Sequence, residues 1–352
     1  MRFYNVQAMR GVAALMVLLI HVMQHNYGID AILYRFWWIG PAGVDLFFVI
    51  SGFVVCYAAA RASTSDETSL MSAGKFSVKR VVRIYPLYWV VLACAWTISD
   101  RVSLAPNYLP EYSVWRYLTL TVIQNNKVMV AWTLAYEMFF YIVLVVIIFL
   151  KPNSFYKAVG FWVVFQISAI GISWTLFKSA SLDYVFTSPV ILEFTAGCGL
   201  AYLIDKGVKG GGALSLFYGL LLFSVGAYVN SGLAEFAWSP GWRALLFTPG
   251  ALLILYGVID LVRSGSWLMP RLIQRVGDSS YSIYMWHQLV VAVLVAVVNK
   301  YGILSFIPGW LLVIFFALIS IAVGTVSYRV IEKPSQNWMH GLIKRSSRKN
   351  LA

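Results

Sequence analysis

The chain has 352 residues, of which 60% are apolar and only 12% are charged, and its net charge is +13. An average soluble domain carries about 25% charged residues, and a soluble core of this length could not bury so much apolar surface. The composition therefore excludes a soluble globular enzyme, a disordered chain and a disulfide scaffold. Because the apolar runs are continuous rather than short and alternating, they predict an all-α polytopic integral membrane protein.

Ten apolar stretches are long enough to cross a bilayer, which takes about 20 helical residues. They cover residues 6–24, 41–60, 77–98, 131–150, 157–177, 186–204, 213–230, 242–261, 281–299 and 308–328. We therefore expect a bundle of about ten transmembrane helices. The connection 99–130 contains a semi-apolar piece, residues 112–124, which could form an interfacial helix, a re-entrant helix or an eleventh apolar element.

Most of the 27 Lys and Arg residues fall on one side of this bundle. Cytoplasmic loops of membrane proteins collect Lys and Arg, so we expect both termini in the cytoplasm and residues 335–352 as a basic cytoplasmic tail. The same asymmetry accounts for the net charge without a nucleic-acid partner. Cys56, Cys94 and Cys198 lie inside apolar runs without metal-ligand spacing, so we expect packing residues and no metal site.

Several ionisable side chains lie inside the predicted spans, where each costs about 2.5–3.5 kcal/mol on insertion scales. Arg10 and His21 share the first span. At about 100° per residue their side chains return to one helix face, ~16 Å apart along the axis. A snorkelling arginine and a water-facing histidine at the helix end are the structural alternatives.

Arg80 and Arg83 open the third span with the i, i+3 spacing that stacks two guanidinium groups on one face. Anchoring at the cytoplasmic interface could account for them. Two stacked arginines at a helix start, followed by Pro86, indicate more specifically a clamp for phosphate groups.

Asp45 and Glu137 lie at similar depths in the second and fourth spans, and we expect them at the level of His21 in the outer half of the bundle. A histidine with a carboxylate partner can act as a general base, because the carboxylate fixes the tautomer and stabilises the imidazolium. A proton relay or a structural pair is the alternative. His287 is expected in the inner half of the ninth span, and Glu193 has no evident partner.

Six motifs occur in order between residues 5 and 334. They are Arg-x10-His, Gly-Val-Asp-Leu-Phe-Phe-Val-Ile-Ser-Gly-Phe, Arg-x-x-Arg-Ile-x-Pro-x-Tyr, Trp-Thr-Leu-x-x-Glu-x-x-Phe-Tyr, Ser-Tyr-Ser-Ile-Tyr-x-x-His and Tyr-Arg-Val-Ile-Glu-Lys-Pro. Together they resemble the membrane-bound acyltransferase type 3 family over nearly the whole chain. The opening, Asn5–Gly11, is most similar to its branch of exopolysaccharide (ExoZ-like) O-acetyltransferases.

This resemblance implies a membrane enzyme that moves an acetyl group from cytoplasmic acetyl-CoA to a hydroxyl of an exopolysaccharide, surface glycan or lipid-linked glycan precursor. It also implies a place in the bacterial cytoplasmic (inner) membrane, in contact with lipid and with glycan biosynthesis or export machinery. Residues 1–334 would form the membrane acyltransferase domain, with no extra-membrane catalytic domain expected. The oligomeric state stays open.

The family's histidine maps to His21, and its arginines map to Arg10, Arg80 and Arg83. The residues predicted to act in catalysis are His21, Glu137 and Asp45; those predicted to bind the donor are Arg10, Arg80, Arg83 and Tyr88; those predicted to bind the acceptor are Trp132, His287 and Tyr281. Relatives often have two adjacent glutamates in the fourth-span motif, whereas this chain has Glu137 and Met138. That difference argues against a role that needs two adjacent carboxylates.

The mechanism and the competing classes stay open from the sequence. His21 could act as a general base or be acetylated transiently. A proton-coupled exporter of a glycan or glycolipid is the competing class, because intramembrane Asp, Glu and His also mark proton paths. Such a transporter should show an internal repeat, and the sequence shows no convincing one. A structural subunit of an export complex, a succinyl donor and a small-molecule acceptor are further alternatives.

Overall fold

The computed structural model describes residues 4–23, 39–98, 113–122, 126–177, 185–231 and 239–349, and every regular element in these ranges is helical. The α-helices are α1 (Tyr4–Met23), α2 (Ile39–Ser63), α3 (Ser69–Ile98), α4 (Val114–Leu118), α5 (Trp132–Leu150), α6 (Phe155–Phe177), α7 (Ile191–Asp205), α8 (Gly212–Ser231), α9 (Pro240–Arg263), α10 (Arg271–Asp278), α11 (Ser280–Tyr301), α12 (Gly309–Ser327) and α13 (Lys333–Lys349). The other helical turns are the 3-10 turns Met129–Ala131, Val185–Thr187 and Ile303–Ser305 and the π-helical turn Tyr328–Glu332.

Nine helices in these ranges are long and apolar enough to cross a membrane, which confirms the predicted class of polytopic all-α membrane protein. The predicted span 186–204 differs, because helix α7 has only 15 residues. At 1.5 Å per residue it is about 22 Å long, shorter than the ~30 Å hydrocarbon core. The last predicted span is longer than expected, since α12, the π-helical turn and most of α13 run on as one segment, Gly309–Ile343.

Glycines bring α2 and α7 into backbone contact. A Cβ atom built on Gly52 would lie 2.1 Å from the carbonyl oxygen of Phe194, and one on Gly197 would lie 2.3 Å from that of Val49. Small residues permit such close crossings between membrane helices. The short helix α7 is thereby packed deep against α2, which places Glu193 in the protein interior, where it is fully buried.

A second glycine contact sets the depth at which α11 begins. Helix α10 packs along the first half of α1, where a Cβ atom on Gly11 would lie 2.7 Å from the backbone nitrogen of Gly277. The amide of Gln7 also donates to the carbonyl oxygen of Gly277 at 2.9 Å. Helix α11 therefore begins beside the middle of α1 rather than beside its first residue.

Within the described part of the semi-apolar piece 112–124, which is residues 113–122, the helix is α4. It has only five residues and is too short to be an additional span. Three aromatic side chains of α3 fasten its C-terminal end. Their hydroxyl and indole groups donate to successive carbonyl oxygens: Tyr88 to Tyr117 at 2.6 Å, Trp89 to Leu118 at 3.1 Å and Tyr85 to Thr119 at 3.4 Å. These bonds satisfy carbonyl groups that a helix end leaves without intrahelical partners.

Candidate functional site

Two cavities meet at Arg10 and Arg83. The polar cavity, of about 420 Å³, lies at the start of α1 and is lined by Tyr4, Gln7, Arg10, Arg83, Gln274, Asp278, Tyr328, Glu332 and Gln336. The inner cavity is narrow, with a volume of about 50 Å³, and is lined mostly by apolar and aromatic groups: Arg10, Val44, Phe47, Phe48, Ser51, Arg83, Ile84, Thr133, Leu134, Glu137, Tyr281 and Tyr284. The two arginines thus belong to the walls of both cavities.

Two carboxylates balance these arginines. Arg10 and Arg83 both interact electrostatically with Glu137 and Glu332. Glu137 accepts hydrogen bonds from the hydroxyl groups of Tyr141 and, at 3.3 Å, Ser51. The arginine positions are therefore set by charge as well as by packing.

Glu332 was not among the residues predicted from the sequence to form the site. It is buried, and it accepts hydrogen bonds from the Ser282 hydroxyl at 2.6 Å and from the Gln336 amide at 3.1 Å. The sequence feature that could have identified Glu332 as a site residue is its place in the closing Tyr-Arg-Val-Ile-Glu-Lys-Pro motif. The motif forms a π-helical turn, a distortion that is frequent at functional sites.

Arg80 lies outside both sets of lining residues, although it stands three residues before Arg83. Its guanidinium carbon is 5.0 Å from the ring centre of Phe76 and 5.6 Å from that of Tyr141. Because Tyr141 donates to Glu137, Arg80 contacts the site through an aromatic ring. Of the two predicted arginines, Arg83 therefore lines the cavities. Arg80 lies behind Tyr141 instead.

The catalytic candidate His21 contacts His287. Nε2 of His287 is 3.3 Å from Nδ1 of His21, and the two rings meet edge to face. Nδ1 of His21 also lies 2.8 Å from the carbonyl oxygen of Val17, and Nδ1 of His287 lies 2.6 Å from that of Tyr284. A carbonyl oxygen can only accept, so both Nδ1 atoms carry protons. In its neutral form His21 then has its lone pair on Nε2.

The expected separation of these two histidines into opposite halves of the bundle is wrong. Depth counted from the ends of the apolar stretches puts His21 near the outer end of its span and His287 near the inner end of its own. Helix α10 instead raises the start of α11 to the level of Gly11, and His287 is a further ~10 Å along that helix. His287 thereby reaches the last turn of α1, where His21 lies.

Asp45 and Glu137 are also in different surroundings, although they were expected at one level. Val44 lines the inner cavity, and the next residue of an α-helix points about 100° away. Asp45 accordingly faces Arg243, which donates to its two oxygens at 3.4 and 2.5 Å and to the carbonyl oxygen of Pro41 at 2.8 Å. Glu193, for which the sequence offered no partner, lies against Asp45.

Of the three remaining predicted site residues, one lines a cavity and two do not. Tyr281 lines the inner cavity, and its hydroxyl donates to the carbonyl oxygen of Ile84 at 2.8 Å. Trp132 packs edge to face against Phe48 and Tyr136 instead. Tyr88 is buried, and its hydroxyl is used by the hydrogen bond to α4.

Comparisons with known proteins agree on one family. Residues 3–329 match the family model described as an acyltransferase domain, Acyl_transf_3. The chain is 30% identical over 319 residues to the exopolysaccharide production protein ExoZ of Rhizobium meliloti (strain 1021), which covers 84% of this chain and 89% of that protein. It is 26% identical over 342 residues to nodulation protein 10 of Rhizobium leguminosarum bv. viciae, covering 86% of this chain and 84% of that protein.

A third relative is a Staphylococcus aureus (strain COL) protein that is named for O-acetyltransferase activity. It is 25% identical over 335 residues, which cover 84% of this chain and 52% of that protein. No solved structure gives a significant match to the chain.

Proposed function

Because the chain belongs to the membrane-bound acyltransferase type 3 family and is therefore an acyltransferase, we propose that it transfers an acetyl group from cytoplasmic acetyl-CoA to a hydroxyl of an exopolysaccharide or its lipid-linked precursor. The names of two relatives support this choice. One refers to exopolysaccharide production and the other to O-acetyltransferase activity.

The observation that carries the proposal is the position of Arg10 and Arg83 in the walls of both cavities. Arginine binds phosphate oxygens through two parallel hydrogen bonds. The phosphate groups of CoA would sit in the polar cavity against these guanidinium groups. The less polar pantetheine arm would extend between them toward the inner cavity, whose aromatic walls would part to admit its reactive end.

Glu137 and Glu332 would hold the two arginines in place before the donor binds. Two cations close together in a membrane protein need such partners, because an unpaired buried charge is strongly unfavourable. When the donor enters, its phosphates would share the same guanidinium groups. We therefore assign Glu137 and Glu332 to positioning, with Arg80 acting on Glu137 through Tyr141.

The acid–base role falls to His21, with His287 fixing its tautomer. The acceptor hydroxyl would give its proton to Nε2 of His21 while its oxygen bonds to the thioester carbonyl carbon. The carbon–sulfur bond then breaks, and the departing CoA sulfur takes the proton from the imidazolium. In the alternative route Nε2 attacks the thioester carbonyl carbon and the carbon–sulfur bond breaks, so that CoA leaves as a thiolate. The acceptor oxygen then attacks the acetyl group of acetyl-His21, the bond to Nε2 breaks, and the hydroxyl proton passes to the CoA sulfur.

The same proposal fixes the topology. CoA is cytoplasmic, so the polar cavity and the N-terminus of α1 would face the cytoplasm, and residues 335–352 would lie on that side. The bacterial inner membrane would be the location. Lipid contact agrees with large apolar side chains on the outer faces, such as Phe161 of α6, which is 79% exposed.

Inside-out membrane vesicles test the proposal directly. Acetyl-CoA labelled in the acetyl group is supplied to vesicles that contain the wild type, His21→Ala or Arg83→Ala, and label is followed into the glycan and lipid-linked fractions. We expect transfer by the wild type and loss in both variants. His340→Ala is the matched control, because His340 is exposed on α13.

Transfer at the wild-type rate by the His21→Ala protein, at equal expression, would contradict the assignment of His21. No transfer from any acyl-CoA by folded wild type, together with glycan accumulating inside cells that lack the protein, would instead favour an exporter. Trapping of acetyl-enzyme after acetyl-CoA alone would favour the acetyl-histidine route, whereas strictly sequential kinetics would favour direct transfer.

A further inference from the structure

The polar cavity extends well beyond Arg10 and Arg83, the residues that would contact the donor phosphates. Tyr4 also lines it and stands six residues before Arg10 on α1, which is a rise of ~9 Å. The cavity volume of about 420 Å³ lies within the range of ~300–1,000 Å³ that is usual for ligand sites. The cavity therefore has room for a further part of the ligand between the arginines and Tyr4.

A short chain of hydrogen bonds places Gln274 at the level of Tyr4. The side-chain amide of Gln274 donates to the carbonyl oxygen of Met269 at 2.7 Å, and the backbone N–H of Met269 donates to the side-chain oxygen of Asn5 at 2.8 Å. Asn5 follows Tyr4 in α1. Tyr4 and Gln274 thus line one end of the polar cavity, the Tyr4 end, and the arginines line the end that adjoins the inner cavity.

Gln274 presents a donor and an acceptor in a fixed orientation. A carbonyl oxygen can only accept, so Nε2 of Gln274 faces Met269 and Oε1 is directed elsewhere. Within the described part of the chain no hydrogen bond uses this Oε1, and Nε2 keeps a second hydrogen. A glutamine amide binds the edge of adenine with the same two groups, accepting from the exocyclic amine and donating to a ring nitrogen.

Tyr4 supplies an aromatic surface beside this amide. It lines the cavity and is nevertheless 43% exposed, so its ring can be reached by a ligand. Aromatic side chains bind nucleobases by stacking on the face of the base. An aromatic ring and an amide at one end of a cavity, with two guanidinium groups at the other, match a nucleotide, whose ribose separates its base from its phosphates.

We propose that the Tyr4 end of the polar cavity binds the adenine of CoA, with Tyr4 stacking on the base and Gln274 hydrogen-bonding to its edge. This inference rests on the proposed function. The base, ribose and diphosphate then follow one another from Tyr4 to Arg10 and Arg83, and the pantetheine arm continues toward the inner cavity. A thioester on a carrier protein has the same phosphopantetheine arm but no adenosine. The enzyme is therefore specific for free acyl-CoA.

Equilibrium binding of two nucleotides tests this assignment without turnover. The purified full chain in detergent is titrated with adenosine 3′,5′-bisphosphate and with inosine 3′,5′-bisphosphate, in which an oxygen replaces the amine. We expect the wild type to bind the adenosine compound about tenfold more tightly, because the oxygen cannot donate to Oε1 of Gln274. Gln274→Leu should bind the two nucleotides equally, since it has neither polar group.

Donor kinetics gives a second test. In Gln274→Leu and in Tyr4→Ala we expect the KM of acetyl-CoA to rise about tenfold, from the loss of a hydrogen bond or of stacking. The KM of S-acetyl-4′-phosphopantetheine, which lacks the nucleotide, should not rise in either variant. Tyr228→Ala is the matched control, because Tyr228 is also an exposed tyrosine but lies on α8, outside the polar cavity.

Equal binding of the two nucleotides by the wild type, or binding of neither, would overturn the proposal. An acetyl-CoA KM that both variants leave unchanged would do the same. A parallel rise in the KM of acetyl-phosphopantetheine would also overturn it, because the two residues would then act on the shared arm. Failure of the proposed function is distinguishable, since folded wild type would then transfer acetyl from neither donor, whichever nucleotide it binds.

Discussion

Two clusters of charged side chains lie inside the same helical bundle and differ in what adjoins them. The cavity cluster consists of Arg10, Arg83, Glu137 and Glu332, and each of its members lines at least one of two cavities. Its four charges balance, yet the arginines adjoin space that a ligand can enter. These are the features expected of a site that exchanges internal ion pairs for contacts with a bound anion.

The paired cluster consists of Asp45, Glu193 and Arg243, with exposed fractions of 3%, 0% and 8%. Arg243 makes a bidentate contact with Asp45 and donates a further hydrogen bond to the carbonyl oxygen of Pro41. Its members line neither of the cavities that meet at Arg83. Charge inside a membrane protein therefore does not by itself indicate catalysis, and adjacent space for a substrate distinguishes the two clusters.

The largest effect is expected on stability, from the paired cluster. Arg243→Met leaves two carboxylates buried without their cation, which should cost about 3–5 kcal/mol of unfolding free energy. Thermal unfolding in detergent measures the loss. The variant that combines Asp45→Asn, Glu193→Gln and Arg243→Met should recover most of it. If Arg243→Met folds normally but has no transfer activity, the paired cluster takes part in the reaction. It would then not differ in role from the cavity cluster.

In the cavity cluster the main effect should fall on donor binding. Arg83→Met removes hydrogen bonds from a charged group to phosphate, each worth about 1.5–3 kcal/mol, so the KM of acetyl-CoA should rise about 10- to 100-fold. The unfolding temperature should fall less than in Arg243→Met, because Arg10 remains beside Glu137 and Glu332. Arg61→Met is the control, because Arg61 lies on the surface. A stability loss as large as that of Arg243→Met would mean that both clusters are structural.

A smaller effect is expected from His287, which acts through His21. His287→Leu removes the acceptor at Nδ1 of His21, and kcat should fall about tenfold while the KM of acetyl-CoA is unchanged. The carbonyl oxygen of Val17 still accepts from the same atom, which limits the loss. His287→Gln offers an amide oxygen and should recover most of the rate. If Gln and Leu at this position are equally slow, His287 does not act by accepting that hydrogen bond.

The smallest effect is expected from the surface pair of Arg61 and Asp205. Their side chains are 62% and 39% exposed and 3.4 Å apart. Exposed ion pairs contribute about 0–1 kcal/mol, so Asp205→Ala should leave both the unfolding temperature and the transfer rate within error of the wild type. A larger loss of stability would show that the protein depends on charges that water can reach.

The membrane class followed from the sequence because it depends on composition and on the length of apolar runs. Nine of the ten predicted stretches contain helices that can span a bilayer. Arg10 and Arg83 were also identified from the sequence, because a charged residue inside an apolar run stands out before its partner is known. The six motifs and their order along the chain indicated the acyltransferase type 3 family.

The partners of those charges depended on the tertiary structure. Close glycine contacts, between Gly52 and α7 and between Gly11 and α10, set how deep each helix lies, and no periodicity within one helix encodes that depth. They bring Glu193 to Asp45 and His287 to His21, two pairs from distant parts of the chain. The sequence by itself therefore determined which residues carry charge into the membrane, and the packing of the helices decided which of them meet each other and which adjoin a cavity.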